Sequence, residues 1–396
     1  MELKGFTTYE VGDVNLLVGK ALTVNAPMTV ARSEQAVQVT EAAPLIDTTN
    51  TTVAHNLTAE EFDRLPKARS FQNLAQLSTS VNSGVIEGGI QVNGASGAEN
   101  NFTIDGISTN SLINGQSRQD AVFEIIQEVQ IKTGGISAEY GGALGGVISA
   151  ITKSGGNAFH GDVHYYLSGN KLSAAPVNRL LLSPTDDVST KYWQDKKQKL
   201  DRHEMGYALG GYLVKDRVYF FSAASPRWGR DTFQYGFSNG RDNDSINRKN
   251  LGQQVFEKVS ADITRNLRAS AHILWTPLSS TGSLPGYNGE CPNCLTSSAA
   301  ANQVRKSIGF FQPQTNYGGT LDWVASPTTL VSIKAGRFLD NYKDTGLPEI
   351  TPVNYSVTAV NLPLDIPASY RQPQGFKHAA AVEDVFRYRH EDLRSG

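Results

Sequence analysis

The chain has 396 residues, with 36 Lys plus Arg against 38 Asp plus Glu, a formal net charge of −2. That balance lacks the basic stripe a nucleic-acid binder needs, so no nucleic acid is expected as a partner. Two Cys exclude a disulfide-dense scaffold or a Cys-rich zinc protein, and 39% apolar residues with 37 Gly, 16 Phe and 15 Tyr suit strands and turns rather than a helical bundle.

Residues 1–40 read as short strands. Thr7 to Val11 and Ala21 to Asn25 are β-rich runs separated by Gly12-Asp13 and Gly19-Lys20; Val37 to Thr40 is another, closed by Pro44. About 40 residues are too few for a stable sandwich of their own. They are expected to be the last strands of a β-domain that begins outside this chain. The first residues show no apolar core of a signal peptide, and no run approaches the ~18–20 apolar residues of a membrane helix. Membrane β-barrels carry no such runs, so this does not assign the chain to the cytoplasm.

Residues 41–155 have a mixed α/β texture. Thr58-Ala59-Glu60-Glu61 is a capping box, Phe62 and Leu65 supply an apolar stripe, and Pro66 stops the helix. A second helix is expected from Ser70, with Phe71, Leu74 and Leu77 on one face. Residues 89–93 and 101–105 alternate with period two around a Gly-Ala-Ser-Gly loop, which predicts a hairpin. Residues 121–127 read as a helix; 128–132 and 146–152 read as strands, bracketing the pairs Gly141-Gly142 and Gly145-Gly146.

From about residue 156 strand-like runs recur in pairs. Val255, Val259, Ala261 and Ile263 alternate with Phe256, Lys258, Ser260 and Asp262. After a turn at Arg265 and Asn266, Leu267, Ala269, Ala271, Ile273 and Trp275 alternate with Arg268, Ser270 and His272. Residues 319–323 and 331–335 form a second pair across Ser326-Pro327-Thr328; 160–167, 207–213 and 218–224 are earlier candidates. Short turns at one end alternate with long polar segments at the other, 168–205, 226–252 and 277–315. Segments of about ten residues, apolar on one face, with short turns on one side and long loops on the other, are the pattern of an outer-membrane barrel. Hydrocarbon cannot satisfy backbone polar groups, so a spanning sheet must close on itself. A soluble antiparallel sandwich also alternates, but the one-sided loops and aromatic strand ends at Trp275 and Trp323 favour the membrane.

Gln91-Val92-Asn93-Gly94, then Asn101 to Ile107 with Asp105-Gly106, then Ile126 to Gly134 with Glu128, then Ala138-Glu139-Tyr140-Gly141-Gly142 and Gly145-Gly146, closing on Thr152-Lys153, closely resemble the plug domain of TonB-dependent outer-membrane receptors. Residues 39–49 look like the tail of the carboxypeptidase-regulatory-like β-sandwich that precedes the plug in the Oar-like branch, and residues 210–221 are similar to an early barrel hairpin of that branch. The resemblance implies three parts: a C-terminal sandwich remnant at 1–40, a plug at 41–155 and the N-terminal part of a β-barrel at 156–396. It also implies energised uptake of an unknown extracellular ligand across the cell outer membrane. A TonB-type energy-coupling protein and outer-membrane lipid are the other implied partners. Its site residues would be the plug motif Gly94, Asp105, Gly106, Glu128, Gly134, Tyr140, Gly141, Gly145, Gly146, Thr152 and Lys153. No convincing TonB box is present; its usual place lies upstream of these modules.

About 240 residues follow position 155. The resemblance implies a barrel of 22 strands, which at ~10 residues each would need ~220 before any loop. With about seven candidate strands and three long loops, the barrel is expected to be incomplete, and the chain a fragment that alone would neither insert nor transport.

Other constellations read blandly. His160, Asp162 and His164 share a strand face but sit ~6.6 Å apart, so lumen-facing polarity is preferred to a metal site, and neither metal nor cofactor is expected. The Gly-rich loop 140–146 lacks the Lys-Ser/Thr ending of a phosphate cradle. Cys291 and Cys294 sit in a polar loop, where a small local disulfide is preferred to a half zinc site. No nucleophile elbow, HExxH or paired acid–base constellation is present, and no enzyme is expected. Two further readings stay open: a non-transporting outer-membrane adhesion or structural barrel, and a soluble β-rich binding module.

Overall fold

A computed structural model describes residues 9–10, 37–38, 52–64, 70–83, 89–111, 115–138, 140–182, 188–194, 199–237, 244–283, 294–295, 305–326, 328–345 and 379–392. Most of the segment expected to be a sandwich remnant lies outside these. Within it, β1 (Tyr9–Glu10) pairs in parallel with β2 (Val37–Gln38).

An inner domain follows. β3 (Val53–Thr58) runs into α1 (Ala59–Asp63); α2 (Phe71–Leu74) continues as one 3-10 turn, and β4 (Val81–Ser83) pairs with β5 (Ile90–Val92). β6 (Asn101–Ile104), β7 (Ile107–Ser108), β8 (Ile126–Gly134) and β9 (Val147–Thr152) join β3 in a five-stranded sheet of order β3-β8-β9-β6-β7. Only the β6–β9 pairing is parallel. Thr58 acts as half a capping box: its backbone N–H and its hydroxyl donate to the Glu61 carboxylate at 2.8 and 3.0 Å. Phe71 and Leu74 are sealed against Phe102, Ile104, Val129, Ile131 and Ile148, which forms the core. Leu77, expected on the same helical face, is exposed: it is the last residue of the 3-10 turn, where the chain turns off into extended Ser78.

Two sequence expectations fail here. Residues 89–93 and 101–105 do not pair as a hairpin: β5 pairs with β4, while β6 takes β7 and β9. Period two identifies strands but not their partners. The helix expected over 121–127 is a 3-10 turn, Phe123–Ile125, leading into β8 at Ile126. Its residues are apolar because they are buried on every side, a pattern that periodicity does not separate from a helix.

The rest is one large, almost wholly antiparallel sheet, the wall. Its strands are β10 (His160–Gly169), β13 (Lys199–Val214), β14 (Val218–Ala224), β15 (Arg227–Phe237), β16 (Asp244–Gly252), β17 (Val255–Thr264), β18 (Leu267–Ser283), β20 (Arg305–Ser326), β21 (Thr329–Thr345) and β22 (Ala379–Asp392). β11 (Arg179–Leu182) and β12 (Thr190–Trp193) form a separate hairpin, and β19 (Cys294–Leu295) pairs in parallel with β15. β13 bonds β14 along one half of its length and β15 along the other. β14 and β15 are thus one stave broken at Ser225-Pro226, where proline removes a ladder donor. The neighbouring stave of β17 and β16 breaks at Gln253-Gln254, and the two breaks interlock: Ser225 N to Gln254 O is 2.8 Å and Gln254 N to Ser225 O is 3.2 Å. Among the described residues the wall therefore has eight staves. The long polar segments after 226 and 277 are not simply loops; β15, β16, β18 and β20 extend well into them.

The apolar rows face away from the inner domain and are uncovered: Val163 is 85% exposed, Val259 44%, Ile273 43% and Trp323 49%. The alternate residues Phe256, Ser260, His272 and Leu274 are buried against the inner domain. That is the reverse of a soluble sandwich, whose apolar faces turn inward. No helix among the described residues is long and apolar enough to cross a membrane.

Candidate functional site

The motif residues do not converge on one site. Gly94 closes the turn after β5, while Gly145 and Gly146 press against Ala95 and Val92, where a Cβ would come within 2.7 and 2.9 Å. Glu128 is buried on β8 and accepts a hydrogen bond from Asn56. Lys132 donates to the Tyr140 hydroxyl at 3.0 Å, with its ammonium 4.2 Å from the ring centroid. Gly134 ends β8 beside Val53, Gly141 borders open space, and the Lys153 N–H donates to Ile125 O at 2.8 Å. Cys291 lies outside the described residues, as does the Cys294 side chain, so the disulfide expected there does too.

Asp105, Gly106 and Thr152 do meet, where the inner domain touches the wall. Asp105-Gly106 is the two-residue turn between β6 and β7, with φ of 48° and 81°. Two successive positive values are what a type I′ hairpin requires, and Asp-Gly supplies them. The turn aims the Asp105 carboxylate at β9 and the wall. Oδ1 accepts from the Thr152 N–H at 2.9 Å; Oδ2 accepts from the Thr152 hydroxyl at 2.5 Å and from Lys258 Nζ on β17 at 3.0 Å. Lys258 also donates to Thr152 Oγ1 at 2.9 Å, and His272 Nδ1 on β18 stands 3.7 Å from Oδ2. The Asp105 and Lys258 side chains are only 10% and 11% exposed. Burial pushes the Asp105 carboxyl upward, but Lys258, His272 and the two Thr152 bonds together outweigh it and hold the group below its ordinary range. Lys334 of β21 lies against Gly106, where any Cβ would strike its ammonium.

Sequence reading missed the rest of this boundary. Ile107, fully buried, sits in a dimple formed by the cross-strand pair Gly318 and Gly336, and a Cβ on Gly318 would come within 3.1 Å of it. Arg118 Nε reaches Asp340 Oδ2 at 2.9 Å, and Gln312 and Gln314 donate to Asp340 Oδ1 at 2.6 and 3.0 Å. Gln119 Nε2 donates to Leu274 O and Thr276 Oγ1, both at 3.2 Å; the Val122 N–H donates to Gln254 Oε1, at the stave break, at 2.9 Å. Tyr166 of β10 donates to Glu124 of the 3-10 turn at 3.0 Å. Asp120 is held the other way: burial raises its carboxyl and Glu204 adds to this, against Ser70 and Arg227. Thus the boundary is polar, with Gln119, Gln254, Ser260, His272 and Asn316 all buried along it. Alternation could have marked Lys258 and His272 as lining residues, but no local signal names their partners.

Residues 44–147 match the TonB-dependent Receptor Plug Domain, and residues 151–235 match the Outer membrane beta barrel domain. Over 238 residues the chain is 31% identical to the TonB-dependent transporter Oar of Myxococcus xanthus, covering 58% of this chain and 22% of that protein. Among solved structures, the fold matches the outer membrane transporter YddB of Escherichia coli, with a TM-score of 0.55 and 15% identity, over 73% of this chain and 39% of that one. It also matches the siderophore receptor PirA of Acinetobacter baumannii, with a TM-score of 0.52 and 17% identity, over 85% and 44%. The chain therefore spans about a fifth of the curated relative and about two-fifths of these structures.

Proposed function

We infer that this chain, the plug domain and part of the barrel of a TonB-dependent outer-membrane receptor, serves energised uptake of an extracellular ligand, with the plug shifting against the wall to open a path. The inference rests on the nature of the plug–wall boundary. A domain meant to stay would be sealed by interdigitated apolar side chains. Here directional polar links, chiefly Asp105 to Lys258 and Arg118 to Asp340, share the boundary with apolar contacts at Ile107 and at Phe221, Phe256 and Leu274 of the wall. The polar links can break and re-form one at a time, and the apolar contacts to be uncovered in a shift are few and local. In this reading the plug spans 41–155 and the barrel begins at 156. Asp105, Gly106 and Thr152 are the motif residues that seat the plug; the others shape the plug itself. A TonB-type protein supplies the pull in the full-length receptor, and the chemistry of the ligand is left open.

A reversible tether tests this. In the full-length receptor, Ile107→Cys with Gly336→Cys joins the plug to β21. Accumulation of whichever nutrient gene-deleted cells fail to acquire is then followed. Uptake should stop under oxidation and return on reduction. Uptake that ignores both the tether and loss of the inner-membrane coupling protein would instead favour a barrel that adheres or supports without energised transport.

A further inference from the structure

We propose that Glu124, His164 and Glu204 form a divalent-cation site that ties the plug to the wall. The three come from separate elements: the 3-10 turn Phe123–Ile125, β10 and β13. One ligand atom from each lies within 4.8 Å of the other two, the one such cluster among the described residues. Strand register explains the wall half. His164 stands opposite Gly206, and Glu204 opposite Tyr166, so His164 and Glu204 are diagonal neighbours on one face. Gly206 leaves room for the imidazole, since a Cβ there would lie 2.7 Å from His164 Nε2.

Two observations point to a ligand rather than a chance meeting of charges. The His164 side chain is only 8% exposed, and its Nδ1 is buried with no hydrogen-bond partner; the Asp162 carboxylate, at 3.7 Å, is beyond bonding reach. The other ring nitrogen, Nε2, stands 3.2 Å from Ser225 Oγ; in the tautomer in which Nε2–H donates to that hydroxyl, the buried Nδ1 lone pair is left unbonded, which is costly unless something else takes it. In addition, Tyr166 donates to Glu124 at 3.0 Å, the kind of outer bond that fixes a ligating carboxylate.

One imidazole and two carboxylates suit zinc or a similar first-row ion, with a fourth position left for water. Calcium and magnesium prefer oxygen-only sets. Bonds of ~2.0–2.1 Å place tetrahedral ligands ~3.3 Å apart, so the carboxylates must draw inward by side-chain rotation. The rival is Arg227, which stands opposite Glu204 on β15 and could neutralise it without an ion.

The test uses the full-length receptor in detergent, stripped with EDTA, and zinc alone as the probe. One zinc should bind per chain, and His164→Ala and Glu124→Gln should each weaken binding at least about tenfold. Cobalt in the unaltered receptor should give visible bands of a four-coordinate nitrogen–oxygen site, a readout that needs no variant to fold. Failure to bind one zinc or cobalt per chain overturns the proposal. So does zinc affinity in both variants equal to that of the unaltered receptor, which would place any bound zinc elsewhere and leave Glu204 to Arg227.

Discussion

At Asp105 the competition between burial and pairing sets both stability and its pH dependence. Removing Lys258 leaves a buried carboxylate with only Thr152 and the more distant His272 to answer it, and breaking one side of such a pair costs about 3–5 kcal/mol. Lys258→Met and Asp105→Asn each leave the other charge buried without its partner, so both should lower the thermal midpoint, while the double variant should cost less than the two together. The sign with pH follows from the lowered value. Asp105 contributes fully above its ordinary 3.8, and that contribution is lost as pH falls below 3.8 toward the depressed folded value. Asp120 works oppositely. Its folded value is raised, so it costs stability while ionised, and the cost is relieved as pH falls toward 3.8. Acid melts of the full-length receptor in EDTA should show a stabilising limb that vanishes in Asp120→Asn. Below it should come a destabilising limb that vanishes in Asp105→Asn. If the two variants lost the same limb, these assignments would be wrong. Gly106→Ala tests the turn itself: a left-handed alanine costs about 1–2 kcal/mol, and the new methyl must also displace Lys334.

Between elements, the Ile107 knob and its two-glycine dimple are the sharpest packing device at the boundary. Ile107→Ala should cost about 2–5 kcal/mol as a cavity, and Gly336→Ala about 1–3 kcal/mol as overpacking. Combined, they should cost less than their sum, because the smaller knob leaves space for the added methyl. A double-mutant cycle read by thermal melting checks this, and simple additivity would mean that the two residues do not share the site. This device also shows where sequence reading stops. Alternation gave the β17–β18 hairpin and the outward face of Val259 and Ile273, because period two depends only on local side-chain direction. The Asp105-Gly106 turn is legible in the sequence, because Asp-Gly is the pair that a two-residue hairpin turn with successive positive φ values favours. That Ile107 meets Gly318 and Gly336, more than two hundred residues on, depends on the register of β20 with β21 and on how the plug is seated. Neither is written near Ile107. The run 121–127 failed for a related reason: Phe123, Ile125 and Ile126 are apolar because both plug and wall cover them, and burial on all sides carries no period.

At the scale of the whole molecule, the wall is a sheet with two ends. Among the described residues β10 pairs only with β13, and β22 only with β21, so an edge of each presents unbonded backbone groups. Hydrocarbon offers those groups no partner, and in water they template pairing with other chains. The outward rows of Val163, Val259 and Trp323 add an apolar surface that only lipid or detergent would cover. The plug differs: its five-stranded sheet lies wholly within residues 53–152, and so do the side chains of Phe71, Leu74, Phe102 and Ile131 at its core. The 396-residue chain, produced by itself, should therefore divide in behaviour. Limited proteolysis in detergent should leave a resistant fragment spanning the plug while the wall is degraded. Unboiled and boiled samples should run alike on a gel, without the mobility shift of a closed barrel. A heat-modifiable species in which the wall outlasts the plug would mean that the eight staves reach closure by some other route, such as pairing of β10 with β22 between two copies.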